Sequence, residues 1–140
     1  MNQIWQQDPP QAITDGLIEL HAAGESEVVA EEAGKLLGAF PESYVLWQIY
    51  GGVLLTLGLY GAAEMALGQA AALRPDLADA LANHATALRA VERIDEAETQ
   101  ARAAVRLAPR SVRAVAELTA VLLHRSDMRA VVKLCDRILR

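Results

Sequence analysis

The sequence contains one cysteine, Cys135, few aromatic residues (4%) and almost no basic residues in its first half. One cysteine cannot form an internal disulfide, which argues against a disulfide-stapled secreted scaffold and favours a reducing compartment. The first ten residues show neither a basic start nor an apolar run, so they indicate no signal peptide. We therefore predict a cytoplasmic location.

Basic residues are scarce in one half of the chain only. Residues 1–70 contain nine acidic residues and one basic residue, Lys35, whereas residues 71–140 contain twelve basic and nine acidic residues. The net charge of −5 argues against binding to a nucleic-acid backbone. The uneven distribution could steer a partner or favour head-to-tail contacts, and the alternative explanation is an ordinary solvated surface.

Apolar residues are abundant, at 53% of the 140 residues, which excludes a disordered chain and suits one domain with its own core. The segment from Ser43 to Ala63 carries no charge and is long enough to cross a bilayer. Four glycines interrupt it and no basic residue flanks it closely, so we predict no membrane span.

Three prolines recur at an interval of 34 residues, at Pro41, Pro75 and Pro109. In this register the large, small and proline positions of each segment correspond. The aligned sets include Trp47, Leu81 and Val115; Gly51, Ala85 and Thr119; Leu54, Leu88 and Leu122; and Ala63, Ala97 and Val131. Apolar residues within each segment are three or four apart, which is helical spacing. Each segment is therefore predicted to be a helix pair, in which Trp47 is a buried packing residue.

The pattern predicts eight helices. Glycine or Ser-Asp marks three of the four breaks within pairs, and the third pair has no glycine there. The predicted helices span residues 10–23, 26–39, 43–57, 60–73, 77–91, 94–107, 111–125 and 128–139.

The second segment carries the most complete set of motif residues: Trp47, Tyr50, Gly51 and Leu54, then Gly58, Tyr60, Ala63, Leu67, Ala70 and Pro75. With the period of 34 residues, this set resembles the tetratricopeptide repeat family. The resemblance covers residues 44–111 well and 10–140 overall. It implies an all-α fold, a right-handed α-solenoid of antiparallel helix pairs, in one domain of residues 1–140. The units would span about 10–43, 44–77, 78–111 and 112–140.

The resemblance also implies a concave groove lined by the first helix of each pair. Asn83 occupies a position similar to that of the asparagine with which such proteins hydrogen-bond a peptide backbone. The apolar groove positions of the second unit would contact partner side chains, although burial against neighbouring helices is an equal alternative for Ile49 and Leu55. The predicted partner-binding residues are Ile49, Gly52, Leu55, Asn83, Thr86, Arg89 and Arg113.

Residues with catalytic potential do not form a recognisable site. The three histidines lie in different units at spacings unlike a metal site, and His84 is predicted to pack in the core. Cys135 is predicted to be a buried, inert thiol. We therefore predict no catalytic residue, no metal and no cofactor.

Two functions are compatible with these features. The first is a non-catalytic module that binds a peptide or protein segment in the groove. The alternative is the N-terminal substrate-recruiting or oligomerisation segment of a larger bacterial enzyme of the glycosyltransferase or sulfotransferase type. A broad apolar set on the last helix further predicts a homo-oligomer through that helix, with a twofold dimer as the simplest form. This set comprises Val131, Leu134, Cys135, Ile138 and Leu139.

Overall fold

The computed structural model describes residues 7–140, and this part of the chain contains eight α-helices and no β-strand. The predicted all-α class is confirmed, and each predicted helix boundary lies within one residue of the observed one. The helices are α1 (Gln11–Ala22), α2 (Ser26–Ala39), α3 (Tyr44–Thr56), α4 (Tyr60–Leu73), α5 (Ala78–Ala90), α6 (Ile94–Leu107), α7 (Val112–His124) and α8 (Met128–Leu139).

The helices divide between two compact units. The first unit ends at Leu73 and contains α1–α4, and the second unit, Arg74–Arg140, contains α5–α8. Three-residue turns join the helices of each pair, so the two helices run antiparallel. In the first unit α3 packs most extensively on α4 and also on α2, whereas in the second unit α5 packs most extensively on α6 and also on α7.

The core of the first unit consists of larger apolar side chains that pack beside one glycine, Gly51. Leu46, Val53 and Leu67 are almost fully buried. A Cβ atom at Gly51 would lie 2.5 Å from Cγ of Leu67 and 3.3 Å from the Leu67 backbone nitrogen. The absence of a side chain at residue 51 therefore permits the close approach of α3 to α4, as its small-residue position in the repeat predicts.

Alanine dominates the core of the second unit. Seven alanines of α5 and α6 have no exposed surface, and Leu88 and Leu122 are buried with them. Small side chains let helix axes come close together, so packing depends on surface complementarity rather than on bulky side chains. The fully buried alanines of these two helices are Ala80, Ala82, Ala85, Ala87, Ala97, Ala101 and Ala104.

The four turns within pairs share one backbone conformation. Each contains a residue with positive φ, and the four residues recur every 34 positions: Gly24, Gly58, Glu92 and Ser126. In each turn the following N–H donates to a leucine carbonyl four residues before the positive-φ residue, at 2.9–3.0 Å; the leucines are Leu20, Leu54, Leu88 and Leu122. This bond is the helix-ending Schellman arrangement. The third turn therefore has the same backbone as the others although the sequence offers no glycine there.

Trp47 differs from its prediction because it is only half-buried, against the clusters around Leu46 and Leu54. Its indole Nε1–H donates a 2.8 Å hydrogen bond to the backbone oxygen of Pro41. The indole thus fastens the chain before α3 to the helix itself. The Ser43 hydroxyl caps the same helix by accepting from the Leu46 N–H at 3.2 Å.

We expect Trp47→Phe to lower the free energy of unfolding by about 1 kcal/mol, because the ring is largely kept and one hydrogen bond to a backbone oxygen is lost. Urea denaturation followed by circular dichroism measures this change. Tyr60→Phe serves as the control, since Tyr60 is an exposed aromatic residue. Equal stability of Trp47→Phe and the wild type would show that the indole hydrogen bond contributes nothing.

Candidate functional site

Three of the predicted partner-binding residues, Ile49, Gly52 and Leu55, lie on α3 in the first unit. Ile49 packs against the cluster that contains Leu46, and Leu55 packs against the cluster that contains Leu54. Both side chains are half-buried, so part of each serves the core and part remains accessible. Gly52 differs from its neighbour in the chain because nothing lies within 4 Å of the position that its Cβ would take.

Gln48 lies one helical turn before Gly52 and was not singled out as a site residue by the sequence. Its Oε1 atom is shielded from solvent and accepts no hydrogen bond within residues 7–140. A shielded acceptor without a donor is rare in folded proteins, since its desolvation is not compensated. The first unit therefore has an unsatisfied acceptor next to open space on the same helix face.

The other four predicted residues lie on α5 and α7 in the second unit, where they form two polar pairings. In the first, Arg113 Nη1 donates a 2.6 Å hydrogen bond to Asn83 Oδ1. Arg113 is exposed and Asn83 is half-buried. This bond occupies the Oδ1 acceptor of Asn83. The Nδ2 group of Asn83 and the other guanidinium N–H groups of Arg113 remain as donors, so this surface is rich in hydrogen-bond donors.

The second pairing joins Thr86 and Arg89 on α5 to Glu117 on α7. Arg89 Nε donates to Glu117 Oε1 at 2.9 Å, and Arg89 Nη2 donates to Oε2 at 3.3 Å. The Thr86 hydroxyl lies 2.8 Å from Oε2. Glu117 is only 7% exposed. The side-chain hydrogen bonds to Glu117 raise the pKa of the Arg89 guanidinium above its usual value.

The pairing with Glu117 changes the interpretation of Arg89. The sequence predicted Arg89 as a partner-binding residue of the groove. Instead both side chains are engaged with each other, and Thr86 contributes to the same cluster. The only signal in the sequence for this pairing was the opposite charge of Arg89 and Glu117, which are 28 residues apart, six fewer than the period of 34.

The last helix, α8, also differs in part from its prediction. Leu134 is buried and Val131 is half-buried, but Ile138 is 44% exposed and Leu139 is 86% exposed. Cys135 is exposed, so the predicted buried thiol is wrong. Helical rotation explains the difference: residue 134 faces α7, which turns residue 135 about 100° away from it. A twofold dimer through this helix remains a prediction.

Histidines and acidic residues do not gather at any point of residues 7–140 in a group of three or more that could hold a metal ion. His21 shares a 3.1 Å hydrogen bond with Ser26, and His124 lies 3.1 Å from Glu92. His84 is half-buried rather than fully in the core. None of the helices within the described part of the chain has the length and apolar character that a membrane crossing requires.

Solved structures share this arrangement of helices. MamA from Desulfovibrio magneticus (residues 41 to the end) matches with a TM-score of 0.83 and 20% identity, over 96% of this chain and 75% of that chain. The first tetratricopeptide domain of Spaghetti (RPAP3), bound to an HSP90 peptide, matches with a TM-score of 0.75 and 19% identity, over 83% of this chain and 92% of that one. The chain has the tetratricopeptide repeat fold.

The same fold occurs inside a larger protein. An O-GlcNAc transferase from Thermobaculum terrenum matches the tetratricopeptide fold of this chain with a TM-score of 0.74 and 24% identity, over 80% of this chain and 22% of that chain. No family model matches the sequence, and neither does any curated protein. The similarity is therefore one of backbone structure, and it shows the tetratricopeptide repeat fold.

Proposed function

We propose that the chain is a non-catalytic module that binds a peptide or protein segment on the surface formed by the first helices of its pairs. The single observation that carries this proposal is the exposed pairing of Arg113 with Asn83. It orients hydrogen-bond donors towards solvent from two helices of one unit. The main-chain carbonyl groups of a bound peptide are the acceptors that such donors fit.

The first unit supports the same function through α3. An extended peptide carries an N–H group at nearly every residue, and one such group could satisfy Gln48 Oε1 after rotation of the amide. The open space at Gly52 would admit the peptide backbone. The accessible parts of Ile49 and Leu55 would then contact apolar side chains of the peptide.

The remaining predictions about function form part of this proposal. The chain itself would catalyse no reaction and bind neither a cofactor nor nucleic acid. It would act in the cytoplasm, where the exposed Cys135 stays reduced. Four repeat units would begin near residues 10, 44, 78 and 112, and Thr86 and Arg89 would hold α5 against α7 beneath the partner surface.

The test uses a peptide selected from a random displayed library on the immobilised protein. We expect the double variant Asn83→Ala/Arg113→Ala to raise the Kd of this peptide at least about tenfold, because it removes charge-assisted hydrogen bonds. Titration calorimetry measures the Kd. Thermal melting should show little change, since Arg113 is exposed and Asn83 is only half-buried.

Arg110→Ala is the matched control, because Arg110 is an exposed arginine beyond the partner surface, in the turn before α7. Gly52→Leu tests the first unit separately by filling the open space with a good helix former. If the double variant and Gly52→Leu both bind the peptide as the wild type does, then the partner surface lies elsewhere on the chain.

A second candidate function is recruitment of substrate, or oligomerisation, as the N-terminal segment of a larger enzyme of the glycosyltransferase or sulfotransferase type. It is supported by the likeness to the O-GlcNAc transferase, in which the matching part is 22% of the chain. The natural coding sequence after the codon for Arg140 tests it. A catalytic domain encoded there would favour this candidate, and a stop codon would remove it.

A further inference from the structure

A cleft of about 430 Å³ lies in the second unit, between α8 and the helices α6 and α7. Its floor is apolar and is formed by Leu118, Leu122 and Leu134, whereas its rim is basic. A smaller hollow of about 230 Å³ shares Arg102, Leu118 and Arg137 with it. We call the larger hollow the basic cleft, with the rim residues Arg102, Arg129, Lys133 and Arg137.

Three of the rim cations form no ion pair in the part of the chain that the structure describes. Arg129, Lys133 and Arg137 follow one another at intervals of four residues, so they lie along one side of α8. Within residues 7–140 none of the three takes part in an ion pair, whereas Arg102 pairs with Glu98 at 2.7 Å. Asp127 also lines the cleft, but its carboxylate accepts from the Ala130 N–H at 3.0 Å and caps α8. The basic cleft therefore attracts an anionic surface.

The chain itself carries a surface of the opposite sign. Residues 7–40 contain seven acidic residues and one lysine, a balance of −6, and residues 102–140 contain nine basic and three acidic residues, a balance of +6. On α2 the acids surround an apolar residue, Val28, which is 45% exposed. We call this surface the acidic face of α2, with the residues Glu27, Val28, Glu31 and Glu32.

The acidic face of α2 is itself incompletely neutralised. Lys35 pairs with Glu31 and with Glu32, each at 3.1 Å, so one cation serves two carboxylates. Glu27 has no ion pair within the described part of the chain. The two surfaces thus match in layout as well as in sign, since each combines apolar groups with charged residues that retain an unbalanced charge.

We propose that the basic cleft of one copy binds the acidic face of α2 of a second copy. The contact joins two different surfaces, so it is heterologous, and the pair of copies keeps one unused surface of each kind with which to add a further copy. Val28 would meet the apolar floor of the cleft, while Lys133 and Arg137 would pair with Glu27 and Glu31. The contact is separate from the partner surface on α3, α5 and α7.

Sedimentation velocity over a wide range of protein concentration tests the proposal. We expect association at about 0.1 M salt and its loss at about 1 M salt, because the Debye length falls from about 10 Å to about 3 Å. The double variants Glu27→Lys/Glu31→Lys and Lys133→Glu/Arg137→Glu should each raise the association Kd at least tenfold. All four residues are exposed, so melting temperatures should stay close to that of the wild type.

Mixing the two double variants is the decisive measurement. Each variant alone has two surfaces of like sign, whereas the mixture restores opposite charges at every contact, so we expect association in the mixture only. The single changes Glu42→Lys and Arg110→Glu alter exposed charges outside both surfaces and should leave association unchanged. A wild type that remains monomeric at about 0.1 M salt, or a mixture that fails to associate, overturns the proposal. Binding of a synthetic poly-glutamate peptide to the basic cleft of such a monomer would instead assign the cleft to another acidic partner.

Discussion

Gly51→Ala is expected to lower the free energy of unfolding by about 2 kcal/mol, although alanine is the better helix former. The new Cβ would lie 2.5 Å from Cγ and 2.6 Å from Cδ2 of Leu67, a side chain that is almost fully buried. Overpacking of a filled core costs about 1–3 kcal/mol, and a contact this short belongs at the upper end of that range, from which the gain in helix propensity offsets about 1 kcal/mol. Chemical denaturation of the purified chain measures the change.

The neighbouring glycine provides the control for Gly51→Ala. Nothing lies within 4 Å of a Cβ at Gly52, so Gly52→Ala gains helix propensity without a clash and should stabilise by up to about 1 kcal/mol. The same substitution at two adjacent residues is thus expected to change the free energy of unfolding in opposite directions. A stabilising Gly51→Ala would contradict the close approach of α3 and α4.

Arg89→Met is expected to destabilise the second unit by about 2 kcal/mol. It leaves the Glu117 carboxylate, which is 7% exposed, with the Thr86 hydroxyl as its remaining side-chain donor. Removing one partner of a buried ion pair costs about 3–5 kcal/mol, and the effect is smaller here because the Arg89 side chain is about a third exposed. Urea denaturation measures the loss.

The double variant Arg89→Met/Glu117→Met separates the ion pair from simple packing. It removes both charges together, so we expect it to be more stable than Arg89→Met alone. Arg113→Met is the matched control, since its partner Asn83 is neutral and its own side chain is exposed, and it should cost less than about 0.5 kcal/mol. Strict additivity in the double-mutant cycle would show that Arg89 and Glu117 do not interact energetically.

The sequence was sufficient for the helices because their signal is local. Apolar spacing and the 34-residue register depend on neighbours along the chain, and these place each helix boundary within one residue of the observed one. The role of Gly51 was likewise accessible, since a small residue recurs at that register position. Trp47 was harder, because the pattern indicates that it packs but not what fraction of the indole remains exposed.

The candidate site was less accessible because its geometry depends on side chains from separate helices. The sequence placed Arg89 and Glu117 on first helices but could not show that the two side chains meet. The sequence could not show that Gln48 carries an unsatisfied acceptor, since such an acceptor is defined by what surrounds it. On α8 the sequence placed Leu134 and Cys135 in one apolar set, and a small difference in helix rotation decides that Leu134 is buried and Cys135 is exposed.

The left-handed turns bear on how far a repeat can diverge. Glu92 and Ser126 adopt the positive φ that glycine adopts at residues 24 and 58, with the same hydrogen bond to a leucine carbonyl. A non-glycine residue in this conformation is strained by about 1 kcal/mol or more, so the surrounding helix packing must enforce it. The 34-residue period therefore depends on the shared backbone conformation of the turns and not on the presence of glycine in each of them. Substitutions can accumulate at these turns until the amino-acid pattern fades, while the spacing of the helices persists.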